Sequence, residues 1–287
     1  MRKLFFILPL FLAFSLCAAD KSNSDSNAKT NAPTAGSVAE EKNKAATIPD
    51  ASAKPVFITN SISIGGERVT YIAETGMLPI LNSTGTVRAS VFYVAYTRTD
   101  VADKTNRPVT FCFNGGPGSS SVWLHLGALG PRRVKMNENG TLPPPPFGMT
   151  DNEYSILDKS DLVFIDPVAT GFSRPDKDEK PEDFFGDAND LNSMSEFIRL
   201  WTTRHERWLS PKYLCGESYG VFRAAGLAKE LNDRFGMYLN GLILVSGVLD
   251  FSTIINNAGN DVPYPLYLPA FTAAAQFHKK IATGFTK

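Results

Sequence analysis

One hexapeptide, residues 215–220, carries residue types that acyl-transfer chemistry needs. It reads Cys-Gly-Glu-Ser-Tyr-Gly and contains the pattern Gly-x-Ser-x-Gly. A short apolar segment, 212–215, precedes the serine, and residues 219–235 follow with helix formers. Between a strand and a helix, this pattern predicts a nucleophile elbow with Ser218 at its tip. Glycine is needed at 216 and 220 because side chains there would collide across the turn. Ser218 is therefore the candidate nucleophile, beside a helix N-terminus that favours developing negative charge.

A second glycine-rich segment follows an apolar run earlier in the chain. Residues 108–113 predict a strand covered on both faces, and they lead into Asn114-Gly115-Gly116-Pro117-Gly118. Two glycines at a strand end allow the backbone to pass close to a substrate carbonyl, where N–H groups can stabilise an oxyanion. Hydrolases of this kind take a second donor from the residue after the nucleophile, which here is Tyr219.

The elements that must position these segments alternate between strands and helices. Segments 56–64, 68–74 and 87–98 are rich in β-branched and aromatic residues and predict an antiparallel opening meander. Apolar runs at 108–113, 161–166 and 242–246 predict buried strands. Helical patterns occupy 122–129, 187–208 and 219–235, with a weaker one at 268–282. The apolar residues at helical spacing after the elbow are Val221, Phe222, Ala225, Leu227, Ala228 and Leu231. This alternation predicts an α/β class with a doubly wound parallel sheet.

Composition and the N-terminus restrict the class of protein further. The 287 residues carry 29 Lys and Arg against 29 Asp and Glu, which gives no support to binding of nucleic acid or an anionic membrane. Residues 1–19 predict a secretory signal peptide, because a basic start precedes an apolar run too short for a stable membrane span. A lipoprotein anchored through Cys17 is less favoured, because Leu16 is bulky for such a site. Residues 20–54 lack aromatic residues and predict a disordered tether, which leaves 55–287 as the folded domain. The predicted location is exported, either periplasmic or secreted.

In its motifs and their order the chain resembles the serine carboxypeptidases, peptidase family S10 of the α/β-hydrolase fold. The matching segments are Phe113-Asn114-Gly115-Gly116-Pro117-Gly118-Ser119-Ser120, Leu129-Gly130-Pro131, Tyr154-Ser155, residues 162–167 with Gly171-Phe172-Ser173, and Gly216-Glu217-Ser218-Tyr219-Gly220. The resemblance covers roughly residues 71–250. It implies a serine-type hydrolase that cleaves peptides at a free C-terminus through an acyl-enzyme on Ser218. It implies no cofactor, no metal and no nucleic-acid partner.

The resemblance also implies roles for the residues around the serine. The backbone N–H groups of Gly116 and Tyr219 would form the oxyanion hole. Asn114, Gly115 and Glu217 would bind the substrate, with Asn114 and Glu217 on its terminal carboxylate. Glu217 can do this only when protonated, because two carboxylates that share a site cannot both stay charged at low cost. Such an enzyme is expected to work best in acid.

Three positions depart from the family pattern. Cys112 stands where tryptophan is usual and Ala128 where glutamate is usual, and both usual residues help to bind the terminal carboxylate. An esterase or acyltransferase on the same scaffold is therefore an alternative. Ser119 replaces a cysteine and so removes a disulfide partner. Cys112 and Cys215 end neighbouring parallel strands, which rarely offer disulfide geometry, so both are predicted to be buried free thiols.

The largest departure concerns the catalytic base. The fold places Ser, Asp and His in that chain order, yet His278 is the only histidine after Ser218. The aspartates after the elbow are Asp233, Asp250 and Asp261. The two earlier histidines, His125 and His205, are predicted to be packing or surface residues. The chain is therefore interpreted as an N-terminal portion of a serine carboxypeptidase, with a sheet incomplete on its C-terminal side. A catalytically inert protein is the remaining alternative.

Overall fold

A mixed eight-stranded β-sheet forms the centre of the part of the chain that the computed structural model describes, residues 54–281. The described residues fall within one compact unit. The predicted signal peptide, 1–19, and the predicted tether, 20–54, lie outside the described residues except for Lys54.

The strands alternate with helices as the sequence predicts. In chain order the strands are β1 (Val56–Ile64), β2 (Glu67–Leu81), β3 (Val87–Arg98), β4 (Val109–Phe113), β5 (Arg132–Val134), β6 (Met149–Asp151), β7 (Asp161–Ile165), β8 (Arg174–Pro175), β9 (Lys212–Glu217) and β10 (Gly241–Val245). The helices are α1 (Val122–Leu124), which continues as a π-helical turn (His125–Leu129), α2 (Asp187–Arg204), α3 (Tyr219–Phe235) and α4 (Pro263–Phe277). Short 3₁₀ turns cover Pro181–Phe184 and Phe251–Thr253.

The sheet order is β1-β2-β3-β7-β4-β9-β10, with β8 beside β3 and with β5 and β6 forming a separate pair. The β1–β2, β2–β3 and β3–β7 pairs are antiparallel. The β7–β4, β4–β9 and β9–β10 pairs are parallel. Every residue of β4 and β7 is buried, as their mainly apolar character predicts, including Thr110 and Asp161. The predicted class, an α/β sheet with antiparallel opening strands, is therefore confirmed.

Two apolar clusters cover the two faces of the sheet. Phe111 and Phe113 of β4 pack in one cluster with Phe197 and Trp201 of α2. Cys112, between those two phenylalanines in the chain, packs on the opposite face in the second cluster. This alternation follows from the period of two in a strand, and it places β4 at the centre of both halves of the core.

Helix α2 ends at Arg204, four residues before the end that the sequence predicts. Glu206 takes a positive φ of 55°, which breaks the helical path. Arg207 then turns into the core, where its Nη1 lies 2.5 Å from Asp161 Oδ2. Arg107 Nε binds the other oxygen of Asp161 at 2.7 Å. A tertiary ion-pair cluster, buried at the start of β7, therefore overrides the local helix pattern.

A second polar contact ties the end of α2 to β2. Glu74 accepts a hydrogen bond from the Tyr93 hydroxyl at 2.5 Å, and its other oxygen lies 2.9 Å from His205 Nε2. Burial alone would raise the pKa of Glu74, but the hydrogen bonds from His205 and Tyr93 outweigh burial and lower this pKa below its ordinary value. The carboxylate is thus held ionised inside the fold.

The apolar pattern of α3 is confirmed at Val221, Leu227 and Leu231, which are buried, and is wrong at Phe222 and Ala225, which are exposed. Its buried residues are Gly220, Val221, Arg223, Ala224, Leu227 and Leu231. Phe222 is 38% exposed, and Ala225 is also exposed. The helix therefore turns Arg223 toward the core and Phe222 toward the surface.

Strand β10 forms where predicted, but the prediction that it is buried is wrong. Leu242, Ile243 and Leu244 are 38%, 37% and 51% exposed. Burial requires covering layers and a neighbour on each side, and within residues 54–281 β10 pairs only with β9. Helix α4 does not cover the strand with a packed face, because Pro263 is the helix's one buried residue.

Candidate active site

The nucleophile elbow forms at the junction of β9 and α3. Ser218 has φ 57° and ψ −121°, an unusual backbone conformation for a residue with a side chain. Its N–H donates to the carbonyl oxygen of Val245 at 3.0 Å, and its own carbonyl accepts from Val221 N–H at 3.0 Å. The serine is therefore held from β10 on one side and from the first turn of α3 on the other.

The two glycines of the elbow are required by close backbone contacts. A methyl group on Gly216 would lie 2.0 Å from the carbonyl oxygen of Gly220. A methyl group on Gly220 would lie 2.9 Å from the carbonyl oxygen of Phe113, at the end of β4. The collision across the turn that the sequence predicts is therefore confirmed at Gly216, whereas Gly220 is required by its approach to β4.

The glycine-rich segment after β4 lies directly against the elbow. A methyl group on Gly115 would lie 2.4 Å from Tyr219 N and 2.7 Å from the carbonyl oxygen of Glu217. Gly116 has a φ of 109°, a region that favours glycine, and Ser119 N–H closes the loop by donating to the Gly115 carbonyl at 3.1 Å. We call residues 114–119 the oxyanion loop, after the role that the sequence predicts for its backbone. The structure brings this backbone against that of Tyr219, the residue after Ser218.

Asn114 connects the oxyanion loop to the elbow through its side chain. Its Nδ2 donates to Glu217 Oε2 at 3.0 Å, and its Oδ1 accepts from Leu124 N–H at 3.0 Å. The Leu124 donor fixes which end of the amide is the oxygen, so the amide nitrogen must face Glu217. Asn114 is fully buried and Glu217 is half-buried.

A buried ion pair that the sequence motifs do not predict lies behind the loop. Arg223 of α3 donates from Nη1 to the main-chain oxygen of Asn114 at 2.7 Å and from Nε to Asp190 Oδ2 of α2 at 2.7 Å. Arg223 shares its face of α3 with Leu227 and Leu231, at successive intervals of four residues. The sequence did contain a signal for this ion pair, because Arg223 is a charged residue at helical spacing from two leucines of the buried face.

Tyr219 carries its own constraint on the elbow. Its hydroxyl donates to Asp187 Oδ1 at 3.3 Å, at the start of α2. Burial, together with the charges of Asp190 and Asp187, raises the pKa of Tyr219 to about 12. The phenol is therefore neutral at physiological pH, and Tyr219 joins α2 to α3 beside Ser218.

Asp166 ties the loop after β7 to the start of α1. One carboxylate oxygen accepts from Ser121 N–H at 2.9 Å and the other from Phe172 N–H at 3.3 Å. Burial raises the pKa of Asp166, and the hydrogen bonds partly offset that effect. A methyl group on Gly171 would lie 1.8 Å from this carboxylate. The motif formed by residues 162–167 and 171–173 therefore braces the turn that follows the oxyanion loop.

The histidines occupy packing positions or the surface. His125 Nε2 lies 2.6 Å from the Tyr96 hydroxyl, its ring stacks on Phe164, and burial lowers its pKa to about 4. His205 stacks on Trp201. His278 is exposed at the end of α4. Within residues 54–281 no histidine is hydrogen-bonded to Ser218.

The aspartates after the elbow are all exposed. Asp233 pairs with Lys229 on α3, and Asp250 caps the turn that begins at Phe251 by accepting from Ser252 N–H at 2.8 Å. Asp261 lies just before α4. These positions fit helix-surface and capping roles.

Cys112 and Cys215 are opposite each other in the β4–β9 pair, and both are free and buried, as predicted. Burial raises the pKa of the Cys112 thiol. Because Cys112 is fully buried, its side chain does not reach a substrate from this position. Ala128 is exposed on the π-helical turn.

Other candidate features lie away from the serine. An open groove of about 530 Å³ is lined by Ile80, Leu81, Asn82, Ser83, Arg88, Asn192, Ser193, Glu196 and Arg234, and by none of the site residues. Among residues 54–281, no cluster of His, Cys, Asp and Glu side chains has a metal-binding arrangement. No helix in the described part of the chain has the length and apolar character of a membrane span.

The sheet order, the elbow and the oxyanion loop define an α/β-hydrolase. The family model for serine carboxypeptidases matches residues 70–275. The chain therefore belongs to the serine carboxypeptidase family, peptidase family S10, as its motifs predict.

Individual relatives agree with this assignment. Serine carboxypeptidase-like 8 of Arabidopsis thaliana is 31% identical over 128 residues, which cover 44% of this chain and 28% of that protein. The pheromone-processing carboxypeptidase KEX1 of Yarrowia lipolytica is 31% identical over 166 residues, or 56% of this chain and 25% of that protein. The crystal structure of Kex1 from Saccharomyces cerevisiae, a prohormone-processing carboxypeptidase, superposes with a TM-score of 0.51 at 24% identity and shows the shared fold. That match covers 75% of this chain and 44% of Kex1, so the chain spans less than half the length of these relatives.

Proposed function

We propose that this chain carries the nucleophilic centre of a serine carboxypeptidase, which hydrolyses the last peptide bond of a substrate with a free C-terminus. The observation that carries the proposal is the direct contact between the two motifs. The position that a methyl group on Gly115 would take is 2.4 Å from Tyr219 N, so the loop backbone packs directly against the elbow backbone next to Ser218.

In the proposed reaction, Ser218 Oγ attacks the carbonyl carbon of the peptide bond and gives its proton to a base. The carbonyl oxygen becomes negative and faces the N–H groups of Gly116 and Tyr219. The C–N bond then breaks, the leaving amine takes the proton, and the acyl group remains on Ser218 as an ester. Water cleaves this ester by the same steps and regenerates the serine.

The free carboxylate of the substrate would meet Asn114, Gly115 and Glu217. Glu217 Oε2 is engaged by Asn114, so Oε1 is the oxygen available for the substrate. Asn114 Nδ2 carries two hydrogens, and one of them is used on Glu217. Two carboxylates in this space must share a proton, and we therefore propose that substrate binding is strongest in acid.

The reaction also needs a base beside Ser218. Among residues 54–281, no histidine is hydrogen-bonded to Ser218. We propose an imidazole as the base, by the logic of the Ser-His-Asp triad. Oxyanion stabilisation and binding alone retain roughly 10³-fold catalysis over water, so Ser218 should still react slowly with a fluorophosphonate probe. Added imidazole should accelerate that reaction, because it can accept the proton of the serine hydroxyl. Ser218→Ala is the control that removes all labelling.

Two substrates separate the proposal from its alternatives. A blocked dipeptide with a free C-terminus is compared with the same dipeptide as an amide, in the presence of imidazole. Preference for the free acid, increasing as the pH falls, supports the carboxypeptidase. Equal turnover of both supports an esterase or acyltransferase. Exposed Ala128 favours that alternative, because alanine offers no group that binds a carboxylate. No labelling of Ser218 under any condition indicates an inert protein.

We also propose that the protein is exported, to a periplasm or out of the cell, by the signal peptide at residues 1–19. Sequencing the N-terminus of the protein recovered from its native host tests this: a mature chain that begins after Ala19 supports export, and an intact Met1 contradicts it.

A further inference from the structure

A buried arginine lies directly behind the oxyanion loop and has no role in the proposed reaction. Arg223 is on the second turn of α3, five residues after the nucleophile, and only 2% exposed. Its two bonds, to Asp190 and to the main-chain oxygen of Asn114, are both 2.7 Å long. A charge buried to this degree is normally fully paired, and here one of the partners is the backbone of the site itself.

We infer that Arg223 is a positioning residue: it fixes the peptide that joins Asn114 to Gly115 and so sets the oxyanion loop against the elbow. The inference rests on the proposed function, which assigns the oxyanion hole to Gly116 and Tyr219. Gly116 is the next residue after the peptide that Arg223 holds. A rotation of that peptide would therefore move the proposed donor directly.

The side-chain contacts of Asn114 extend the effect beyond the loop. Its amide already binds Leu124 N–H and Glu217 Oε2. With the carbonyl held by Arg223, Asn114 is fixed from three directions. The same arginine thus also sets where Glu217 stands, which is the group proposed to meet the substrate carboxylate.

Arginine suits this position because its planar guanidinium addresses two acceptors at once. Asp190 neutralises the charge. The ring centroids of Phe113 and Tyr219 lie 5.5 Å and 5.3 Å from the guanidinium carbon. Lysine carries a single nitrogen and cannot hold both acceptors in the same geometry. Arg223→Lys should therefore keep the charge pair with Asp190 and lose the constraint on Asn114.

Two backbone amides report on the loop without requiring activity. Ser119 N–H is bonded to the Gly115 carbonyl, and Leu124 N–H is bonded to Asn114 Oδ1. In Arg223→Lys, hydrogen exchange at both amides should be about tenfold faster than in the wild type, as expected when one charge-assisted hydrogen bond no longer opposes opening. Exchange in β4 should not change.

Arg234→Lys is the matched control. Arg234 is also on α3 and also reaches α2, through Asn192, but it is exposed and contacts no site residue. It should leave both reporter amides at their wild-type rates. Unchanged exchange at Ser119 and Leu124 in Arg223→Lys overturns the inference, and so does an equal acceleration throughout β4, which would indicate a merely structural role.

A second variant keeps the test decisive if Arg223→Lys does not fold. Asp190→Leu combined with Arg223→Met replaces the ion pair by apolar residues, an exchange that is often neutral for stability. It removes the bond to Asn114 without leaving an unpaired charge. The same selective acceleration at the two amides is expected, and its absence contradicts the inference.

Labelling of Ser218 separates this inference from the proposed function. If the wild type reacts with a fluorophosphonate, Arg223→Lys should react about tenfold more slowly at saturating probe, with unchanged probe affinity. Equal labelling rates would overturn the inference. If the wild type does not react at all, the proposed function fails, and the exchange rates alone decide whether Arg223 positions the loop.

Discussion

Replacing Gly115 by alanine is expected to separate the oxyanion loop from the elbow. The added methyl group would lie 2.4 Å from Tyr219 N and 2.7 Å from both Glu217 O and Gly220 N, whereas ordinary contact begins at 3.4 Å. One of the two segments must therefore move by about 1 Å, the difference between 3.4 Å and 2.4 Å. All three contacts are backbone atoms, so no side-chain rotation can relieve the overlap.

A displacement of about 1 Å from the reactive geometry typically costs about 100-fold in rate, and we expect that loss in the acylation of Ser218. Overpacking should also destabilise the fold by about 2 kcal/mol. For a domain of this size that lowers Tm by about 4–8 °C. The rate is measured as fluorophosphonate labelling of Ser218 in the presence of imidazole, and Tm by calorimetry.

Gly127→Ala is the control for this prediction. A methyl group on Gly127 meets nothing within 4 Å, so both labelling and Tm should stay at wild-type values. Wild-type labelling and Tm in Gly115→Ala would refute the reasoning, because the loop would then not lie against the elbow as described. A fall in Tm without slower labelling would show that the contact is structural only.

Three further predictions concern the fold around the site. Asp161→Asn leaves two buried arginines without their shared carboxylate and should cost about 3–5 kcal/mol in the free energy of unfolding, measured by urea denaturation. Asp233→Asn, at an exposed pair on α3, should cost less than about 1 kcal/mol, and equal losses in the two variants would contradict this assignment. The folded-state pKa of Glu74 is lowered, so its contribution to stability is complete above the ordinary value of 4.5 and is lost as the pH falls through the folded-state pKa. Glu74→Gln should therefore lose less stability on acidification than the wild type, and parallel stability curves would show that the lowered pKa plays no part. Cys112 and Cys215 should be inert to a thiol reagent in the native protein at neutral pH, and both should react after unfolding without reductant. A failure of either to react after unfolding would indicate a bridge.

Much of the site could be read from the sequence because its requirements are local. The Gly-x-Ser-x-Gly turn needs glycine at 216 because a side chain there would meet the backbone of Gly220, four residues away, although the crowding at Gly220 comes from Phe113 on β4. The strand before the turn and the helix after it have patterns that extend over single elements. The central strands were predictable for the same reason, since β4 and β7 are apolar at every position except Thr110 and Asp161, as a sheet covered on both sides demands.

The rest depended on contacts between distant parts of the chain. The burial of Arg223 on α3 could not be read from the apolar residues of the helix, because Arg223 binds Asp190 and Asn114 in elements far away in sequence. The end of α2 was misplaced for a similar reason, since Arg207 leaves the helix to reach Asp161. The apolar run of β10 predicts burial, yet burial is a property of the layers around a strand and not of the strand's own residues.

By itself, the sequence determined the class of fold, the family and the candidate nucleophile, because glycine sterics and residue periodicity act over short distances. Only the tertiary structure decided that Gly115 meets Tyr219 and that Arg223 supports Asn114, whereas the packing or surface positions of His125 and His205 were predicted from the sequence and are confirmed. Each of these two contacts depends on distances between residues that are brought together only when the sheet assembles. The same physical difference, between short-range and long-range contacts, separates the part of the mechanism that was predicted from the part that the structure supplied.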